Sequence, residues 1–147
     1  MRHRVVAALA MALWLPAIAL CGSLGQTSSD TSRVTVTVNA MHPWLDTGLS
    51  VRKGDRVSFA AVGTIQWGTQ PDQVAGPEGH EPRAGTVGKG GLIGRVGITG
   101  KPFAIGNTRE PIVMPKNGEL FLGINDFVFG DNTGAFAVTI ARPVRPQ

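Results

Sequence analysis

An all-β fold, a β-sandwich or jelly roll, is what this chain predicts, and three observations carry the prediction. The 147 residues include 20 glycines and 10 prolines but only 16% charged residues, a composition suited to many short segments joined by turns. After residue 25 no stretch shows a convincing helical period. Eight or nine short alternating runs fall instead within about 110 residues, the strand density of a two-sheet domain. The length fits one domain once a targeting segment is set aside.

That segment is Met1 to Ala19. It has Arg2 and Arg4 near its start, an apolar run from Val5 to Leu15 and the small-x-small triplet Ala17-Ile18-Ala19, the layout of a secretory signal peptide. Cleavage is expected after Ala19 or as late as Gly25. The run is shorter than the ~20 apolar residues of a membrane span, so a secreted or periplasmic protein without stable membrane insertion is expected. Leu20 is bulky where a bacterial lipoprotein signal carries a small residue, which disfavours a lipid anchor at Cys21. As Cys21 is the single cysteine, no intrachain disulfide is available. Removing residues 1–19 takes away Arg2 and Arg4 and no acid, lowering the formal charge from +4 to +2. The other basic residues are scattered from Arg33 to Arg145 without a run or interleaved aromatics, which excludes an evident nucleic-acid surface.

In the mature chain, residues 26–33 form a polar, Ser/Thr-rich lead expected to be loosely held, and the domain proper spans 34–142. Val34 to Val38 alternates strictly and is the first expected strand. Asn39 to Asp46 is a turn region in which Trp44 is structural and Asp46-Thr47 closes a turn. Thr47 to Val51 is a second strand, Lys53-Gly54-Asp55 a hairpin signal, and Arg56 to Val62 a half-buried strand followed after Gly63 by a short one, Thr64 to Trp67. From Thr69 to Gly90 periodicity is lost among three prolines and five glycines; long loops of this kind in compact domains are often functional. Strands resume at Leu92–Gly97, Phe103–Ile105 and Pro111–Met114.

The organising stretch is Gly118 to Ile140. Two alternating arms, Glu119 to Ile124 and Ala135 to Ile140, are expected as antiparallel neighbours. Between them stand Asn125, Asp126, Asp131, Asn132 and Thr133, more side-chain oxygen than a tight hairpin needs. Taken alone, these residues read as turn formers that bond their own backbone.

Six segments together carry a resemblance: Trp44 to Leu49, Gly54 to Val57, Ala61 to Gly63, Gly76 to Gly79, Gly91 to Gly97, and Leu122 to Asp126 with Asp131 to Phe136. In this order and spacing the chain resembles the PA-IL family of bacterial galactophilic lectins over roughly Val34 to Ile140. The resemblance implies a small jelly-roll β-sandwich and a non-catalytic, calcium-dependent lectin for galactose-containing glycans or related sugars. It also allows a homo-oligomer that would gain avidity. Calcium takes 6–8 hard oxygen ligands, and a sugar diol can replace two of its waters. By position, Asp126, Asp131 and Asn132 would supply side-chain ligands. The carbonyl of Trp67 and that of Val128 or Phe129 would contribute as well. Sugar would be contacted by Trp67, His80, Asp126, Phe127 and Asp131.

Two departures stand out. The loop between Asp126 and Gly130 is two residues shorter than the family's, and Asp131 replaces an Asn. His80 is the nearest candidate for the family's sugar-contacting histidine, shifted by a residue or more, and a solvated loop histidine is the alternative reading. Trp67 reads equally as a core-packing aromatic or as the rim of a site. Lys89-Gly90-Gly91 is too short to cradle phosphate and lacks a strand-to-helix context. Against catalysis, no serine lies in a nucleophile-elbow context; paired carboxylates for glycoside hydrolysis would have to be Glu78 or Glu81 with Asp126. Two further alternatives stay open: an adhesion or structural module whose calcium only staples the loop, and a module for a different glycan.

Overall fold

The structure, a computed structural model, describes residues 31–144. These residues form nine strands and no helix: β1 (Thr31–Asn39), β2 (Leu45–Val51), β3 (Arg56–Gln66), β4 (Val74–Ala75), β5 (Leu92–Val96), β6 (Phe103–Ala104), β7 (Ile112–Val113), β8 (Gly118–Ile124) and β9 (Thr133–Pro143). One sheet has the order β1-β9-β3-β4, with β7 paired to the start of β3; the other runs β2-β8-β5-β6. All pairings are antiparallel. The fold is the expected all-β sandwich. The signal segment, its cleavage site, Cys21 and residues 26–30 of the lead lie outside the described residues.

Alternation builds the core. Val38, Val57, Phe59, Phe136, Val138 and Ile140 project inward from the first sheet and meet Val51, Leu92, Val96, Leu120, Leu122 and Ile124 from the second. On the outward side of the first sheet, Thr35 and Thr139, which stand opposite one another, share a hydroxyl hydrogen bond of 2.9 Å. Such cross-strand pairs add to the stability of a sheet.

The arms of the organising stretch are not hydrogen-bonded neighbours. β8 lies between β2 and β5, whereas β9 lies between β1 and β3 in the other sheet. Their apolar faces meet across the core instead of lining one face side by side, and a period of two is satisfied equally by both arrangements. The segment from Asn125 to Asn132 is therefore a crossover between sheets. The Lys53-Gly54-Asp55 turn is likewise no hairpin, since it carries the chain from β2 to β3 on opposite sheets.

Other boundaries moved for local reasons. The strands expected on either side of Gly63 are one strand, because Gly63 keeps its pairing with Phe136. It does so at φ 121°, where a Cβ would stand 2.6 Å from the Ala135 carbonyl oxygen, so only glycine allows the approach. β3 ends at Gln66, leaving Trp67 just beyond it. β1 starts at Thr31, inside the expected lead, because Thr31, Ser32 and Arg33 pair with Pro143, Arg142 and Ala141. Asp46 and Thr47 close no separate turn. They form a bulge within β2, where Asp46 Oδ1 accepts from Gly48 N and Thr47 Oγ1 donates to the Leu120 carbonyl. The long loop contains β4 and a bridge between His80 and Lys89.

On the outer face of the second sheet, the Arg95 guanidinium lies 4.2 Å from the ring centre of Trp44 and 5.3 Å from that of Phe121. Partial burial pushes its pKa below the ordinary arginine value, and its Nε has no hydrogen-bond partner among the described residues.

Candidate functional site

The crossover from β8 to β9 begins with a backbone clamp. Asn125 N donates to the Gly91 carbonyl at 2.8 Å, and the Asn125 carbonyl accepts from Gly90 N at 2.9 Å. Its side-chain Nδ2 lies 3.2 Å from the Val87 carbonyl and 3.1 Å from that of Gly88. One residue thereby holds the end of the long loop, residues 87–91, against the root of the crossover.

Asp126 follows. Its side chain is 1% exposed. Oδ1 accepts from Phe127 N at 2.7 Å and Val128 N at 3.4 Å, so one oxygen does act as a turn former. Oδ2 is buried and has no hydrogen-bond partner among the described residues. At the other end of the crossover, Asn132 is 1% exposed. Its Nδ2 donates to the Ala40 carbonyl at 3.1 Å and its backbone N to the Phe129 carbonyl at 3.3 Å. Asn132 Oδ1 is buried without a partner, as Asp126 Oδ2 is. Phe129 packs half-buried on the core, Val128 and Asp131 are exposed, and Phe127 is 95% exposed.

Trp67 is anchored through its backbone N, which donates to the Gln73 carbonyl at 2.8 Å. Its ring lies on Gly90, where a Cβ would come within 2.8 Å of the indole. The indole Nε1 is buried and has no partner among the described residues. His80 stands beside it, with ring centres 5.6 Å apart and planes at 48°, held there by a 2.7 Å hydrogen bond from its backbone N to the Lys89 carbonyl. Lys89 joins the two halves of the site. Its Nζ is 4.3 Å from the Trp67 ring centre and 3.6 Å from Asp126 Oδ1. The series His80, Trp67, Lys89, Asp126 is thus continuous; Phe127 and Asp131 are exposed, and Asn132 is buried with its contacts to Ala40 and Phe129.

Among the described residues no three His, Cys, Asp or Glu side chains cluster, so a cation held here would need amide and carbonyl oxygens in addition to carboxylates. A cleft of about 820 Å³ reaches Asp126 and Phe127 and is lined further by Pro43, Trp44 and Phe103. Of the acids considered as glycosidase partners, Glu78 accepts a 2.8 Å hydrogen bond from Asn107 Nδ2, and Glu81 lies 3.9 Å from His80 Nε2.

Two roles have no local signature in the sequence. Asn125 stood in the Asn-Asp pair, but its clamping role depends on a segment 34 or more residues away. Lys89 carried no local signal, because its position follows from the bridge with His80.

A family model described as PA-IL-like protein matches residues 33–145. Lectin A of Photorhabdus laumondii subsp. laumondii is 35% identical over 99 residues, covering 64% of this chain and 78% of the relative. A solved structure described as "EclA N-terminal domain; PllA-like lectin" superposes with a TM-score of 0.64 at 26% identity, over 74% of this chain and 94% of the other.

Proposed function

The chain belongs to the PA-IL-like protein family, and from that membership we propose a lectin that binds galactose-like sugars through a calcium ion held by the β8–β9 crossover. As a lectin it is a carbohydrate-binding protein and not an enzyme. The observation that carries the calcium reading is the pair of buried acceptors, Asp126 Oδ2 and Asn132 Oδ1, neither of which has a hydrogen-bond partner among the described residues. A buried polar atom left unsatisfied costs about 1–3 kcal/mol. Two such oxygens at the two ends of one loop fit a hard cation, which takes carboxylate, amide and carbonyl oxygens.

In this reading Asp126 supplies the carboxylate and Asn132 the amide oxygen. The carbonyls of Trp67 and of Val128 or Phe129, with the exposed carboxylate of Asp131, complete the protein ligands. Calcium, when bound, offers coordination positions that two neighbouring sugar hydroxyls can fill. The residues around it orient the sugar: Asp126 and Asp131 accept from its hydroxyls, Trp67 and His80 form one wall, and the exposed Phe127 ring offers an apolar face. Export follows from the signal-like residues 1–19.

The test is retention on a galactose-bearing resin in calcium and elution with a chelator. Retention that the chelator releases is expected. Retention that survives chelation would remove the calcium from sugar binding and leave it as a loop staple, and passage straight through would point to a different glycan.

A further inference from the structure

We propose that Lys89 is a built-in counter-ion to Asp126 that competes with the metal and so sets the calcium concentration at which the site loads. This rests on the calcium reading above. A carboxylate as buried as that of Asp126 is costly without a compensating charge. In this structure the compensation comes from the Lys89 ammonium, 3.6 Å from Oδ1. The same oxygen accepts two backbone N–H groups while Oδ2 has none, so the carboxylate is neutralised on one side and uncommitted on the other.

The ammonium is placed by the fold. Asn125 clamps residues 87–91 from both backbone and side chain, and the Trp67 ring, itself seated on Gly90, lies under the charge at 4.3 Å. A side chain that is 48% exposed nevertheless has a route to solvent, and four flexible carbons let a compact charge swing away. A divalent cation arriving at Asp126 meets a like charge within a few ångströms. It binds only after overcoming that repulsion or after the ammonium has left the carboxylate for solvent. Lys89 therefore steadies the metal-free loop and weakens metal binding, by one and the same contact.

The experiment compares the purified protein with Lys89→Gln and Lys89→Arg, titrating calcium by calorimetry and recording melting temperatures in chelator and in saturating calcium. Lys89→Gln is expected to bind calcium roughly tenfold tighter, a value suited to a half-exposed charge screened by water. Its melting point should fall by a few degrees in chelator but recover in calcium. Lys89→Arg, which keeps the charge, should stay near the parent affinity. Unchanged or weaker calcium binding by Lys89→Gln would overturn the proposal, as would an equal loss of melting temperature with and without calcium, the mark of a merely structural lysine. If the parent protein itself takes up no calcium at millimolar concentration, the calcium reading fails and the role of Lys89 falls with it.

Discussion

Two cations in this lectin lie over tryptophan rings at nearly the same distance, and they do different work. Arg95 sits 4.2 Å from the ring centre of Trp44 and 5.3 Å from that of Phe121, on a sheet face; Lys89 sits 4.3 Å from that of Trp67, beside a buried carboxylate. Among the described residues Arg95 has no ion-pair partner, and a planar guanidinium stacked on aromatic rings contributes packing as well as charge. Lys89 is a point charge on a flexible stem with an acid at one end of its reach. One is set into the surface of a sheet, and the other stands where a second cation could replace it. A cation over an aromatic ring therefore says little until the neighbouring acid is known.

The acid beside Lys89 is what separates the two cations. Asp126→Ala is expected to lower calcium and sugar binding by more than about 100-fold, since it deletes the charged ligand of the proposed site; calorimetry and resin retention would read this, with circular dichroism confirming the fold. Normal sugar retention by this variant would remove the site assignment. Next in size, calcium at about a hundredfold excess over its dissociation constant should stabilise the protein by ~2.7 kcal/mol, visible as a rise in melting temperature that a chelator reverses.

Arg95→Ala sharpens the contrast from the other side. Losing the stack on Trp44 and Phe121 should cost about 1–2 kcal/mol of stability in denaturant unfolding while leaving sugar retention as it was. The smallest expected effect is that of Phe127→Ala: a several-fold loss of sugar affinity, equivalent to about 1 kcal/mol for one exposed aromatic contact, with calcium affinity unchanged.

Most of the architecture was legible in the sequence because strands announce themselves by alternation. Val34-Val36-Val38 and Leu120-Leu122-Ile124 read directly as inward faces; the second is fully buried, and in the first Val38 is buried while Val34 and Val36 pack half-buried against the core. The partner of each strand was not legible. Glu119–Ile124 and Ala135–Ile140 look like a hairpin because adjacency in sequence favours it, yet the same inward residues are buried as well across the sandwich as beside each other. The site divided along the same line. Asp126 and Asn132 taken alone read as turn formers, and only the family resemblance marked them as candidate ligands. Lys89 was not marked, because its relation to Asp126 arises from hydrogen bonds between Asn125 and the end of a long, aperiodic loop, and nothing in Lys89-Gly90-Gly91 itself points there.

The pairing of β1 with β9 bears on the order in which the molecule can assemble. Thr31 stands opposite Pro143, and β9 also separates β1 from β3, so the centre of this sheet is the last of the described strands to leave the ribosome. Until it arrives, β1 and β3 have no common partner and each presents an open edge. Closing contacts this distant in sequence carries a large loop-entropy cost before any pairing is gained, which makes such sheets slow to form. A chain of this design cannot complete its first sheet until synthesis has reached the final strand, and the strands already made are open to aggregation in the meantime.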